Sequence, residues 1–220
     1  VVIAIIGILS GLVLPALSRS RKQATATFCL NNLTQLGKAS SLYTSEYEYY
    51  MPCFGADVTG MASDGKTWIG YRTNSGAGIV YNLKTGFIAD YLKENTQVLY
   101  CPAWKRGDSD TELQAIHGTG YGYNYGISTW IYLTGSSYGS GAGLKLTQVA
   151  NPALTVGFGD CCNGRGTETS LRGLPIIYPK YTPENPYDRI VFTSTSQNGD
   201  NIQFRHAGTA NILWLDGHAS

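Results

Sequence analysis

The chain has 220 residues, a net charge of +1, only 14% charged residues, 27 glycines and 16 tyrosines. That length is one domain, or one domain with an appendage. The balance of 16 Lys+Arg against 15 Asp+Glu leaves no basic footprint for nucleic acid, and 43% hydrophobic residues with so little charge exclude intrinsic disorder.

The charge poverty is concentrated at the start. VVIAIIGILSGLVLPALS, Val1 to Ser18, carries no charge. As a helix it rises about 27 Å, close to a hydrocarbon core of about 30 Å. Arg19, Arg21 and Lys22 follow together. No basic residue precedes the run and no small-x-small site closes it, so a cleavable secretory signal is disfavoured. A membrane helix or the core helix of a filament is expected. Gly7 and Gly11 form G-x-x-x-G, which permits close helix–helix approach, although chance in a Gly-rich chain is an equal reading. Pro15 removes a backbone donor and predicts a kink.

Past Pro15 the helical period continues. Cys29, Leu33, Leu36, Ser40, Tyr43, Tyr47 and Tyr50 recur at spacings of four and three, forming one stripe. One long helix is expected from Val1 to about Tyr49. Its second half should carry a head, and its first half is too long for that head to cover. The division is 1–28, an apolar assembly or membrane helix, and 29–220, the globular head including the back of the helix.

After Met51-Pro52 the pattern changes to short apolar runs bounded by Gly, Asn, Ser and Pro. Expected strands are Thr67–Tyr71, Gln97–Tyr100, Thr129–Leu133, Leu154–Phe158, Ile190–Thr193, Ile202–Phe204 and Ala210–Leu215. A further helix is expected at Gly86–Leu92. Leu133–Gly143 reads as a flexible loop and Gly118–Gly126, GTGYGYNYG, as a turn-rich, Tyr-rich loop. The fold class is α+β, a long N-terminal helix packed on a Gly-rich antiparallel sheet.

Five cysteines are present: Cys29, Cys53, Cys101, Cys161 and Cys162. No C-x-x-C or Cys/His pair has zinc-ligand spacing. Distal spacing in an exported head favours disulfides, with free buried thiols as the competing reading, and the odd count leaves one thiol over or one intermolecular bond. Cys29 lies on the inward stripe and Cys101 follows the run VLY, so a Cys29–Cys101 bridge is expected. Cys53 with Cys161 or Cys162 stays open. The histidines are His117, His206 and His218. No G-x-S-x-G, H-E-x-x-H or P-loop accompanies them, and no catalytic residue is assigned.

The last twenty residues read NIQFRHAGTANILWLDGHAS. A hairpin is expected, with Ile202–His206 and Ala210–Leu215 flanking the turn Ala207-Gly208-Thr209. His206 should share a strand face with Ile202 and Phe204 and serve as a structural histidine bonded to backbone. The apolar second strand should be central in the sheet. This pairing brings Asp216 near Asp200. Asn198, Asp200, Asn201 and Asp216 offer hard oxygens to Ca²⁺. The competing reading makes Asp216-Gly217 only a turn, with Gly217 supplying a positive φ.

The N-terminal block VVIAIIGILSGLVLPALSRSRKQA resembles the processed N-terminus of type IV pilins and type II secretion pseudopilins. The spacing His206-x9-Asp216-Gly217 resembles the C-terminal H-x9-DG signature of pilin-like proteins. CLNNLTQLG, YCPAW, YGYNYG and NPALTVGFGD resemble that family's blocks in order. The resemblance implies a pilin-like fold without enzymatic activity and a leader removed by a prepilin peptidase, leaving a methylated N-terminus. It also implies insertion in the inner membrane, then polymerisation by the pilus assembly machinery into an extracellular helical filament of identical subunits. The family pattern opens on an aromatic residue with a nearby Glu, whereas this sequence begins about seven residues inside it. The residues expected to carry assembly are Val1, Val2, Ile3, Ile5, Ile6, Gly7, Leu9, Gly11, Leu12, Leu14 and Pro15. Arg19, Arg21 and Lys22 would by themselves be placed in the cytoplasm, but the resemblance and the expected disulfides place the head outside. The alternative is a membrane-anchored head, either enzymatic or binding surface glycans through Trp68, Trp104, Trp130 and the tyrosines.

Overall fold

The computed structural model describes residues 2–53, 65–75, 78–93, 95–104, 120–124, 127, 143–161, 176–177, 202, 204–206 and 208–220. Its dominant element is α1 (Val2–Tyr47), a single α-helix of 46 residues that runs through Pro15 without a break. At 1.5 Å per residue it is about 70 Å long. It ends where Glu48 turns left-handed, with φ 64°, and Glu48 N–H still reaches the Thr44 carbonyl. A left-handed residue just past the last turn closes a helix. Tyr49 then bridges to Lys145, and Pro52 follows.

The buried positions on α1 are Cys29, Leu33, Leu36, Gly37, Ala39, Ser40, Tyr43 and Thr44. They recur three and four residues apart, as one face of a helix must. Tyr47 departs from the expected stripe and is exposed, while Tyr50 is buried beyond the helix end. Gly37 is where the sheet comes closest, since a Cβ there would meet the Leu213 side chain at 2.8 Å.

The strands form two small sheets rather than the one expected. In the first, β1 (Gly65–Lys66), β2 (Tyr71–Ser75) and β3 (Gly78–Asn82) pair antiparallel in chain order. The second contains β4 (Tyr121–Asn124), β5 (Val156–Asp160), β6 (Ile176–Ile177) and β7 (Ile212–Trp214) in the order β6-β4-β5-β7. Its β4–β5 and β5–β7 pairs are antiparallel and β4–β6 is parallel. The helix packs against β5 and β7 and against the 3-10 turns Ala89–Leu92 and Thr96–Leu99.

Several expected elements differ. Gln97–Tyr100 is no strand: Thr96–Leu99 forms a 3-10 turn. Val98 and Leu99 in this turn are buried, and Pro102 follows closely. Gly86–Leu92 is replaced by the 3-10 turns Leu83–Thr85 and Ala89–Leu92. The expected loop YGYNYG contains β4, buried along its whole length. β7 lies at the sheet's edge rather than its centre among the described residues. Thr129–Leu133 and Ile190–Thr193 lie outside the described residues, as does the expected loop Leu133–Gly143 apart from its last residue.

The core is aromatic. Trp68, Tyr123 and Phe158 are fully buried; Trp68 is edge-on to Phe158 at 5.4 Å, and Tyr123 is tilted against Phe158 at 4.7 Å. Leu33 and Leu36 enter this cluster from the helix, and each fully buried leucine contributes about 1.5–3 kcal/mol.

Candidate functional site

The front of α1 is the first feature that needs a partner. Ile3 is 86% exposed and Leu12 70%, and Val2, Ile5, Ile6, Leu9 and Leu14 are exposed too. The first buried residue of the helix is Cys29. Gly7 and Gly11 have open space where a side chain would be. This is one helix long and apolar enough to cross a membrane, near the N-terminus, as a membrane anchor or a signal sequence would be. Val1 lies outside the described residues.

The second feature is a buried polar cluster beneath the back of the helix. Cys29 sits on the inward face of α1, Cys101 follows the Thr96–Leu99 turn, and His206 opens a tight turn. His206 and Thr209 exchange both backbone hydrogen bonds, at 3.0 and 3.1 Å. Gly208, with φ 90°, supplies the left-handed position in this turn. Thr209 is thus paired with His206 rather than standing in the turn as expected. Ile202 leaves it to bridge Cys161. Phe204 is exposed while His206 is buried, so these residues do not share a regular strand face.

The sulfurs of Cys29 and Cys101 and a ring nitrogen of His206 all lie within 4.8 Å of one another. The expected Cys29–Cys101 disulfide is not formed: both are free thiols. Cys53 and Cys161 are also buried, and they belong to different core clusters. Cys162 lies outside the described residues. His206 Nε2 is 3.7 Å from Cys101 Sγ and 3.2 Å from Asp160 Oδ2. The ring is thus held by side chains rather than by the backbone partner expected for it.

Asp160 ends β5, and its Oδ2 also accepts the Asn211 backbone N–H at 2.7 Å. Asp160 Oδ1 has no hydrogen-bond partner among the described residues. Burial raises this carboxyl to about 6 against the opposing pull of Arg205 and of the Asn211 N–H. Arg205 lies over the Trp104 ring at 4.9 Å and donates to the Cys161 carbonyl at 2.7 Å. Its Nε and Nη1 are buried without hydrogen-bond partners among the described residues. Of the two thiols, Cys101 is the more acidic. The Cys29 thiol hydrogen-bonds to it, and the Arg205 guanidinium adds positive charge nearby. The same hydrogen bond, with burial, raises Cys29.

Asp160 and Arg205 were not picked out by motif. A single charge closing the apolar run TVGFGD was the signal for Asp160, and adjacency to His206 was the signal for Arg205. Among the described residues, both side-chain contacts of His206 fall on one ring nitrogen. A nucleophile relay would use the two nitrogens separately, one for the nucleophile and one for the acid. The cluster also anchors the helix. Tyr121 Oη donates to the Cys29 carbonyl at 3.3 Å, Asn32 to the Tyr100 carbonyl at 2.9 Å, and Asn211 to the Ala26 carbonyl at 3.2 Å.

Asp216 and Gly217 are elsewhere, in a surface turn. Gly217 has φ 94°. Asp216 Oδ1 accepts the His218 backbone N–H at 3.1 Å and lies 2.6 Å from His218 Nδ1. That backbone hydrogen bond, then the His218 ring, hold its carboxyl below the usual range. Asn198, Asp200 and Asn201 lie outside the described residues, so the calcium set is not brought together among the described ones. The tryptophans of the expected glycan platform do not come together among the described residues. Trp68 is fully buried in the core, Trp104 is covered by Arg205, and Trp130 lies outside the described residues. A cleft of about 180 Å³ opens between α1 and β7. That is below the usual ligand-pocket range of about 300–1,000 Å³. Ser41, Thr44 and Ser45 on its wall turn their hydroxyls to helix carbonyls.

Comparison with protein-family models, with curated proteins and with solved structures gives no match.

Proposed function

We propose that this chain is a structural subunit of an extracellular filament of the type IV pilus or pseudopilus kind. One observation carries the reading: a continuous helix whose back half is the spine of a folded head while its apolar front half is left uncovered. An apolar surface of that size needs a bilayer or copies of itself. The same helix serves both states in turn, as an inner-membrane anchor before assembly and as one strand of a helical core afterwards. A contact between different faces of identical subunits that does not close on itself produces a helical polymer. Gly7 and Gly11 are the positions of closest approach between neighbouring helices. The prepilin peptidase and the pilus assembly machinery are the partners this reading requires, and the H-x9-DG end serves the architecture of the head.

The test is electron microscopy of material sheared from cells that express the chain, beside the Ile6→Asp variant. Filaments from the parent and none from the variant, with equal amounts of folded head, support the reading. Normal filaments from the variant, or none from a well-expressed parent, refute it.

A further inference from the structure

We infer that Cys29, Cys101 and His206 form a binding site for one zinc ion that clamps the long helix to the head. Three donor atoms from three distant parts of the chain converge within 4.8 Å, and all three residues are buried. Donors around a tetrahedral zinc, at about 2.3 Å for sulfur and about 2.0–2.1 Å for nitrogen, are separated by roughly 3.4–3.8 Å. The 3.7 Å between Cys101 Sγ and His206 Nε2 is such an edge. Two thiolates and an imidazole suit zinc over the hard cations magnesium and calcium.

The charges close as well. Zinc enters as the two thiols lose their protons, so the net charge of the pocket does not change. Asp160 and Arg205 continue to oppose one another beside it. Asp160 lies beside this trio, with Oδ2 at 3.2 Å from the same His206 nitrogen and Oδ1 unpartnered among the described residues. The three donors leave the fourth position of a tetrahedral ion to water. On the helix side, Tyr121 donates to the backbone carbonyl of Cys29 and fixes that turn of the helix. A Cys29–Cys101 disulfide is the competing use of these sulfurs. It would use the two sulfurs and leave the imidazole to Asp160 alone, whereas a metal takes up both thiols and the ring. The inference is independent of how the helix assembles.

The full chain, purified in detergent under reducing, metal-free conditions, is titrated with Co²⁺ as the probe. Thiolate-to-cobalt charge-transfer bands should appear, saturate at one equivalent, and be abolished by one equivalent of Zn²⁺. Cys29→Ser and Cys101→Ser should lose the bands, and Cys53→Ala should keep them. Since the first two variants also touch the core, the parent is read by native mass spectrometry. It should gain one zinc with loss of two protons, and its melting temperature should rise with zinc and fall back with chelator. Absence of the bands in the reduced parent overturns the inference. So does a Cys29–Cys101 disulfide in protein quenched with alkylating agent directly from cells, or loss of the bands in Cys53→Ala alone.

Discussion

The two halves of α1 share one backbone geometry and almost nothing else. From Cys29 to Thr44 the helix is stitched into the head by buried leucines and by hydrogen bonds from Asn32 and Tyr121. From Val2 to Leu17 no side chain is buried. Helices of this length are marginal in water on their own. The front half is also rich in β-branched Val and Ile and interrupted by Gly7, Gly11 and Pro15, all poor helix formers. The back half is helical because tertiary packing rewards it. The front half requires a medium that penalises unpaired backbone groups, as lipid does or as a bundle of identical helices would. One continuous element therefore has two different sources of stability, and each can be removed without the other.

The sharpest way to break the contrast is a charge in the front half. Ile6→Asp places an unpaired carboxylate in an apolar medium at a cost of several kcal/mol per copy. Membrane insertion and filament yield should collapse, while circular dichroism melting of the solubilised head stays at the parental temperature. A shift of that melt would mean that the halves are coupled. A deletion of the same chemistry in each half comes next. Leu36→Ala removes a fully buried side chain and should destabilise the head by about 2–5 kcal/mol. Leu12→Ala should leave the melting temperature unchanged and weaken assembly only.

Acid should act on the back half alone. Asp160 titrates at about 6 when folded, against 3.8 for the model carboxyl. Below about pH 4 it is neutral in both states and has no effect. Between these values the unfolded chain loses the proton and the folded chain keeps it. Above about pH 6 the folded state carries the full cost of a desolvated charge, about 3 kcal/mol. Acidification from about pH 7 to about pH 4.5 should therefore raise the parent's stability relative to Asp160→Asn, measured by urea denaturation. A gap between the two that does not change with pH would refute the assignment. The smallest effect is expected from Asp216→Asn. The carboxylate is at the surface and its amide replacement can still accept the His218 N–H, so the melt should barely move.

The long helix was legible because its stripe is repeated: Cys29, Leu33, Leu36, Ser40 and Tyr43 leave no other period. The strands were legible only where apolar residues cluster, as in Val156–Asp160 and Ile212–Trp214. Tyr121–Asn124 was hidden by its Gly and Asn, which favour turns in isolation. It is a strand because neighbours on both sides bury it and Asn124 donates to the Val156 carbonyl, a tertiary override of local preference. The polar run Tyr71–Ser75 was missed for a similar reason. Its stability lies in pairing with Gly78–Asn82, which single-residue propensity does not register. Of the buried cluster, the approach of Cys29 to Cys101 was foreseeable from the helix face and the run before Cys101. The arrival of His206 and Asp160 was not, because it depends on β5 lying beside β7, a long-range pairing with no local mark.

The Asp216-Gly217 turn has a bearing on how heads behave when crowded. It folds residues 218–220 back along β7, so that Ile212 and Ser220 exchange both backbone hydrogen bonds and Trp214 N–H reaches the His218 carbonyl. Trp214 stacks on His218 and donates to the Ser220 hydroxyl. The outer rim of that strand is thereby already spoken for. A neighbouring head finds no free row of amides and carbonyls there onto which to add a strand, and unsealed rims of this kind are where sheets join into disordered aggregates. Heads packed side by side at high density would then meet through side chains alone, leaving the register between subunits to be set by their helices.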